Sequence, residues 1–209
     1  MINYGVTAGV CPCLYRLGEF RPAQKPGKCS RLLSSCRPLC MSSCASKAWE
    51  RVVCRRQVLL LPTCHLNYGY RVGASAGDEV GQVLGEIDEA LSSGDVVVAV
   101  AIDLTGAFDF VTHGRLIRGQ LGRVDEVPPD RRHEYLMTVR WQHQFLSGRR
   151  ACTRVGEECS DWGPALCGVP QGTVSGPTDW VAFIRDYLVS AGVRGEATGV
   201  RTPCYADDL

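Results

Sequence analysis

The stretch Asp95-Val96-Val97-Val98-Ala99-Val100-Ala101-Ile102-Asp103 restricts this chain most: seven apolar residues in unbroken series, four of them Val, lie between two aspartates. An unbroken β-branched run of that length reads as a buried strand. A carboxylate closing a buried strand is costly unless it is paired or holds a cation. The next residues, Leu104-Thr105-Gly106-Ala107-Phe108-Asp109, turn toward a helix expected from about Thr112 to Leu121. The run therefore predicts both a strand and a reason for Asp103 to stand at its end.

A second acidic feature lies about a hundred residues on, in Tyr205-Ala206-Asp207-Asp208-Leu209, after the extended-looking Gly199-Val200-Arg201-Thr202-Pro203-Cys204. Adjacent carboxylates repel each other unless a cation sits beside them. A hard ion such as Mg²⁺ suits oxygen ligands and leaves room for phosphates. By itself an Asp-Asp pair is more often a solvated turn. Two strands ending side by side would bring Asp103 next to Asp207 and Asp208. Three such carboxylates would hold two metal ions about 4 Å apart, the arrangement used for in-line nucleotidyl transfer.

With 209 residues the chain suffices for one large or two small domains. No apolar run reaches membrane-spanning length, and no charged n-region with an h-region opens the chain. The net charge of +1 hides an asymmetry. Residues 1–56 hold 10 Lys and Arg against 2 acids, a net of +8, and residues 57–209 hold 13 against 20, a net of −7. Such a division points to phosphate contact in the basic part and metal binding in the acidic part. Twelve Cys are present. Without an export signal they are not expected to form a disulfide framework. Cys36, Cys40 and Cys44 would form one stripe on a helix, and the spacings suit buried small thiols better than a structural zinc site.

Residues 1–20 carry no clear pattern. Lys25-Pro26-Gly27-Lys28 is a turn between cations. Helices are expected at about Ala45–Gln57 and at about Gly77–Leu91, the second with Val80, Val83, Leu84, Ile87 and Leu91 on one side. Pro128-Pro129 breaks the chain, and Asp130 is placed to cap a helix of about Arg131–Phe145. Ala151–Val155 alternates and reads as a hairpin strand. Gly168-Val169-Pro170-Gln171-Gly172-Thr173-Val174-Ser175-Gly176-Pro177 makes a loop whose backbone can approach a ligand closely, with Pro177 opening a helix through Val189.

In this order and at these spacings the elements resemble the reverse transcriptase domain of non-LTR (LINE-type) retrotransposons, from about Lys25 to Leu209. The resemblance rests on Lys25-Pro26-Gly27-Lys28, Cys36-Arg37-Pro38-Leu39, the helix reaching Trp49-Glu50-Arg51, Tyr68-Gly69-Tyr70-Arg71, Ala101 through Asp109, Phe145-Leu146-Ser147-Gly148-Arg149, Ser160, the Gln-Gly loop and Tyr205-Ala206-Asp207-Asp208. The Gln-Gly-Thr-Val loop is similar to that of a trypanosomatid subgroup. Thr178-Asp179-Trp180 departs from the apolar residues usual there, and Asp179 is expected to face solvent in a first helical turn.

The resemblance implies an α+β fold of right-hand polymerase type, with an antiparallel palm sheet flanked by helices. It implies a lead-in at 1–20, fingers at 20–90 and an incomplete palm at 91–209, the thumb being absent. Asp103, Asp207 and Asp208 would be catalytic, binding two Mg²⁺ ions (or Mn²⁺) together with the Leu104 carbonyl. Lys25 and Arg37 would grip the triphosphate, Phe108 would exclude a 2′-hydroxyl, and Gln171 and Gly172 would support the nucleotide and the template base. The implied partners are an RNA template, a DNA primer and deoxynucleoside triphosphates, with no membrane, inside the cell and in the nucleus at the target site. The implied function is RNA-directed DNA polymerisation. Ending just after the catalytic hairpin, the chain is expected to be inactive alone. The rival expectations are a non-catalytic remnant that binds nucleic acid and an intron-encoded reverse transcriptase.

Overall fold

The computed structural model describes residues 2–29, 32, 35–61, 67–71, 73–198, 200 and 203–206. The chain divides into two compact units, each drawn from two stretches: Met1–Pro62 with Phe108–Asp179, and Thr63–Ala107 with Trp180–Leu209. Helices and a sheet both occur, as the α+β expectation requires.

The first unit is a helical layer beside a mixed sheet. Helix α1 spans Ile2–Thr7, α2 Cys44–Leu60, α4 His113–Gly122 and α5 Arg132–Leu146, while α3 (Ala76–Ser92) belongs to the second unit. Ser43 starts α2 by accepting a hydrogen bond from the Ser46 N–H at 3.1 Å, replacing a partner that the first helical turn lacks. Trp49, Val53, Cys54, Gln57 and Leu60 recur on one helical face and are buried. Helix α5 supplies the opposing face. Its Trp141 and Phe145 are fully buried and stacked, with ring centroids 5.2 Å apart. Leu60, Ile117, Val127, Tyr135 and Val139 form one core cluster, and the buried Tyr135 hydroxyl is satisfied by the Gln120 carbonyl at 2.9 Å. Asp130 does not cap α5. Pro129–Arg131 is a 3-10 turn, and the helix begins at Arg132 without a side-chain cap. The second proline tightens the entry, so the capping position falls on Arg131.

The sheet runs β2–β1–β3–β4, with β5 also on β3; its strands are β1 Leu17–Gln24, β2 Cys36–Met41, β3 Arg150–Val155, β4 Glu158–Cys159 and β5 Gly163–Pro164. The expected hairpin at 151–155 is β3 with β4. Strand β1 was not expected from its sequence, because Pro22 removes a ladder donor. It is tolerated because β3 pairs only Leu17 to Phe20, so Pro22 lies beyond that ladder and faces Pro38 of β2 on the other side. Cys36 and Cys40 lie on β2, and Cys44 opens α2, so the three do not form a helical stripe. Buried thiols do occur, at Cys11, Cys40, Cys54, Cys152 and Cys204, and burial pushes the Cys11 thiol up to about 12.

The second unit corrects the opening expectation. Val96, Val98 and Val100 are 91%, 81% and 72% exposed, and residues 95–102 form no strand. Asp103 alone occupies a bridge position. A β-branched run favours an extended backbone, but a strand exists only when a neighbour takes up its N–H and C=O groups. Among the described residues none does so for 95–102. Helix α3 forms where expected, started by a capping box in which Asp78 accepts from the Ser75 N–H at 2.7 Å and Ser75 from the Asp78 N–H at 3.3 Å. Its expected apolar side remains largely uncovered: Val80, Leu84 and Leu91 are exposed. Helix α6, Ser175–Thr198, begins in the first unit and continues into the second. Pro177 is its third residue, still within the turn whose N–H groups lack helical partners. No helix of the described residues is long and apolar enough to cross a membrane.

Candidate active site

In the first unit the Gln-Gly loop is bound to two other predicted elements by its backbone. The Gln171 carbonyl accepts from the Cys40 N–H at 2.7 Å, which ties the loop to β2. Gly172 has φ +98°, and a Cβ there would lie 3.1 Å from the Cys40 carbonyl. On the other side, the Val169 N–H donates to the Phe108 carbonyl at 2.9 Å and the Gly168 N–H to the Val111 carbonyl at 2.8 Å. His113 Nε2 meets the Gly168 carbonyl at 2.8 Å. Phe108, Gln171 and Gly172 therefore belong to one assembly, with Phe108 and Gln171 half-buried.

Strand β2 carries Arg37 in that same assembly. Arg37 lies three residues from Cys40, about 10 Å along the strand, and is exposed. Ala23 pairs with Arg37, and the Lys25 N–H donates to the Ser35 carbonyl at 2.8 Å, so Lys25 and Arg37 share the open end of the β1–β2 hairpin. Strand alternation puts Lys25 on the face of Ala23, diagonal to Arg37. Two cations are thus grouped at one hairpin end.

Behind the loop lies a buried polar group. Glu50 on α2 is fully buried; its Oε2 accepts from the Val174 N–H at 2.7 Å and the Ser175 N–H at 3.1 Å, and its Oε1 from the Ser46 hydroxyl at 3.0 Å. A carboxylate at these amides suits the positive end of α6. Asp179 is also fully buried, contrary to its expected exposure. It accepts from the Gln142 amide, whose oxygen accepts in turn from the Gln57 amide at 2.7 Å.

In the second unit Asp103 is exposed and Leu104 half-buried, and Asp103 forms no ion pair with a described residue. Asp207 and Asp208 lie outside the described residues. The turn before them is described. Ala206 is buried with φ +58°, a left-handed conformation that costs a non-glycine residue about 1–3 kcal/mol and persists only where its surroundings enforce it. The Ala206 carbonyl accepts from the Trp180 indole N–H at 2.7 Å, and its N–H donates to Asn67 Oδ1 at 3.3 Å. Asn67 also pairs with Cys204 in a parallel bridge, and a Cβ on Gly69 would lie 2.2 Å from the Ala206 nitrogen. Among the described residues no three His, Cys, Asp or Glu side chains group as metal ligands. The oxygen donors that the motifs offer are of the hard kind Mg²⁺ prefers.

A family model described as reverse transcriptase (RNA-dependent DNA polymerase) matches residues 23–209. The chain belongs to the reverse transcriptase family. Relatives include the probable RNA-directed DNA polymerases from transposon BS (29% identical over 203 residues, covering 95% of this chain and 21% of that one) and from transposon X-element (28% over 179 residues, 84% and 19%), both from Drosophila melanogaster. The RNA-directed DNA polymerase from the mobile element jockey of the same organism is 26% identical over 217 residues, covering 100% of this chain and 22% of that one. The chain thus spans about a fifth of the length of these curated relatives. The resemblance to a non-LTR reverse transcriptase domain is borne out.

Three residues important to this reverse transcriptase site escaped sequence reading: Glu50, Asn67 and Trp180. Glu50 carried a signal, since an acid between Trp49 and Val53 on the apolar side of α2 must find donors when buried. Asn67 and Trp180 carried none, because their partners are backbone atoms distant in sequence.

Asp179 yields a pH prediction. Burial pushes its carboxyl well above the usual carboxylate range and the Glu50 charge adds to the rise, while the Gln142 amide and Arg149 oppose it. The Ser175 hydroxyl also opposes the rise, without closing a hydrogen bond to Oδ2. An acid with a raised folded pKa binds its proton more tightly folded than unfolded, so its contribution falls as pH climbs from the unfolded value toward the folded one. Asp179→Asn keeps an acceptor for Gln142 and removes that dependence. The variant is expected to gain about 1–3 kcal/mol over the native chain at pH 8 and little at pH 4, read from urea midpoints at the two pH values. An equal difference at both would show that Asp179 titrates normally.

Proposed function

We propose that this chain is the catalytic core of a non-LTR retrotransposon reverse transcriptase, extending a DNA primer on an RNA template by two-metal nucleotidyl transfer. The observation that supports it best is the assembly of the first unit, where the Gln-Gly loop bonds both to the strand of Arg37 and to the turn of Phe108. Three motifs far apart in sequence are thereby held by main-chain hydrogen bonds, which fix position without depending on rotamers.

Residues 20–90 act as fingers and 91–209 as palm. Lys25 and Arg37 neutralise charge that develops as pyrophosphate departs. Phe108 lies under the sugar of the incoming nucleotide and collides with a 2′-hydroxyl, which selects deoxynucleotides by exclusion. Gln171 and Gly172 present close-approaching backbone to the nucleotide and template base. Asp103, the Leu104 carbonyl, Asp207 and Asp208 hold the metal ions, which when bound lower the pKa of the primer hydroxyl and stabilise the leaving oxygen. The basic segment 1–56 lies along nucleic acid phosphates, and the work is done in the nucleus at the insertion site.

Mn²⁺ serves as the probe. Titrated into the chain and followed by loss of free-ion EPR signal, it is expected to bind at least tenfold more weakly to Asp103→Ala than to the native protein. Equal binding would remove Asp103 from the metal site and the proposed catalysis with it.

A further inference from the structure

Ala206 is the last described residue before the two aspartates, and its peptide is gripped on both sides. Its N–H meets Asn67 Oδ1 at 3.3 Å, its carbonyl meets the buried Trp180 N–H at 2.7 Å, and Cys204 Sγ approaches the same carbonyl at 3.4 Å. Asn67 is itself held: its Oδ1 accepts from the Gly69 N–H at 2.8 Å, and the Tyr68 N–H donates to the Cys204 carbonyl at 2.8 Å. Gly69 lies so close that any side chain would meet Ala206. All these residues belong to the second unit.

The consequence follows from covalent geometry. The carbonyl of Ala206 and the Cα of Asp207 share one planar peptide, so a donor that fixes the oxygen also fixes the plane carrying Asp207. The N–H on the other side of Ala206 fixes φ at a value alanine does not hold by preference. We infer that Trp180 and Asn67 are positioning residues for the catalytic aspartates: they clamp the Ala206 peptide and thereby set the placement of Asp207 and Asp208. The inference rests on the metal-binding reading above. The indole is required as a donor rather than as bulk, since an aromatic without N–H fills the space and leaves the carbonyl unclamped.

The test is the Mn²⁺ titration, run on the native chain, Asp103→Ala, Trp180→Phe, Asn67→Ala, and Trp180→Phe combined with Ala206→Gly, with circular dichroism confirming that each is folded. Trp180→Phe is expected to weaken Mn²⁺ binding about tenfold, the loss typical when a group supporting a metal ligand is removed, and Asn67→Ala to act in the same direction. Adding Ala206→Gly should restore part of the affinity, because glycine takes the left-handed conformation unaided. A tryptophan that merely filled space would show no such rescue. If Asp103→Ala weakens binding while Trp180→Phe and Asn67→Ala do not, the clamp is overturned and the metal site stands. If Asp103→Ala binds normally, the metal site and the clamp both fall. Should Trp180→Phe fail to fold, Asn67→Ala alone decides between these outcomes.

Discussion

Replacing Glu50 with alanine is expected to cost about 3–5 kcal/mol of folding stability, a large fraction of the total for a domain of this size. The side chain is fully buried and accepts three hydrogen bonds, two of them from the Val174 and Ser175 amides that open α6. Without it those donors and the buried Ser46 hydroxyl have no partner, and each such group costs about 1–3 kcal/mol. The loss should reach the proposed nucleotide site, because Thr173 and Gly172 lie directly before the anchored amides. Glu50→Gln should cost less, since an amide oxygen still accepts from the backbone. Urea midpoints followed by circular dichroism measure both. A loss below about 1 kcal/mol for the alanine variant would show that water replaces the carboxylate and that Glu50 does not anchor the loop.

Gly168→Ala is expected to cost about 3 kcal/mol, from two sources. Gly168 has φ +80°, where an L side chain costs about 1–2 kcal/mol, and its new Cβ would lie 2.9 Å from the Asp109 carbonyl and 3.3 Å from that of Phe108. The neighbours are backbone, which cannot swing aside as a flexible side chain would. Relief requires the Phe108–Asp109 turn to move from the Gln-Gly loop, breaking the Val169 to Phe108 hydrogen bond. The destabilised protein should therefore also lose selectivity among nucleotides. In equilibrium binding of dTTP and UTP, the ratio of affinities should fall toward unity along with the drop in urea midpoint. An unchanged midpoint would mean that the two segments separate freely and that the close approach has no structural role.

Both variants test one arrangement, in which the Gln-Gly loop is a junction rather than an isolated turn. Its first glycine touches the Phe108 turn, its last touches β2, and its exit is bonded to α2. Short loops position ligands well only when their backbone is over-determined in this manner. Asp179 and Gln142 continue the buried polar chain inward. The fully buried Asp179 stands on α6 one residue from Trp180, where the family resemblance led us to expect apolar residues.

Much of this was legible in the sequence. Helices α2 through α6 fall close to their expected places, because apolar periodicity and capping residues act within a few residues of each other. The motifs identified the family, since glycine, proline and acid at set spacings record local backbone requirements. Tertiary structure decided what depends on a partner elsewhere in the chain. Val96–Ile102 has the composition of a strand but no ladder among the described residues, because hydrogen-bond pairing is not contained in the run itself. Strand β1 has two tolerable faces in spite of Pro22 only because β3 stops at Phe20. Asp179 is buried rather than solvated because Gln142 meets it from α5. Glu50, Asn67 and Trp180 gained their roles in the same way, through backbone atoms up to 139 residues distant. Local propensity determines which segments turn, coil or extend; long-range contacts alone determine which buried polar atom finds which donor, and so which residues the chemistry rests on.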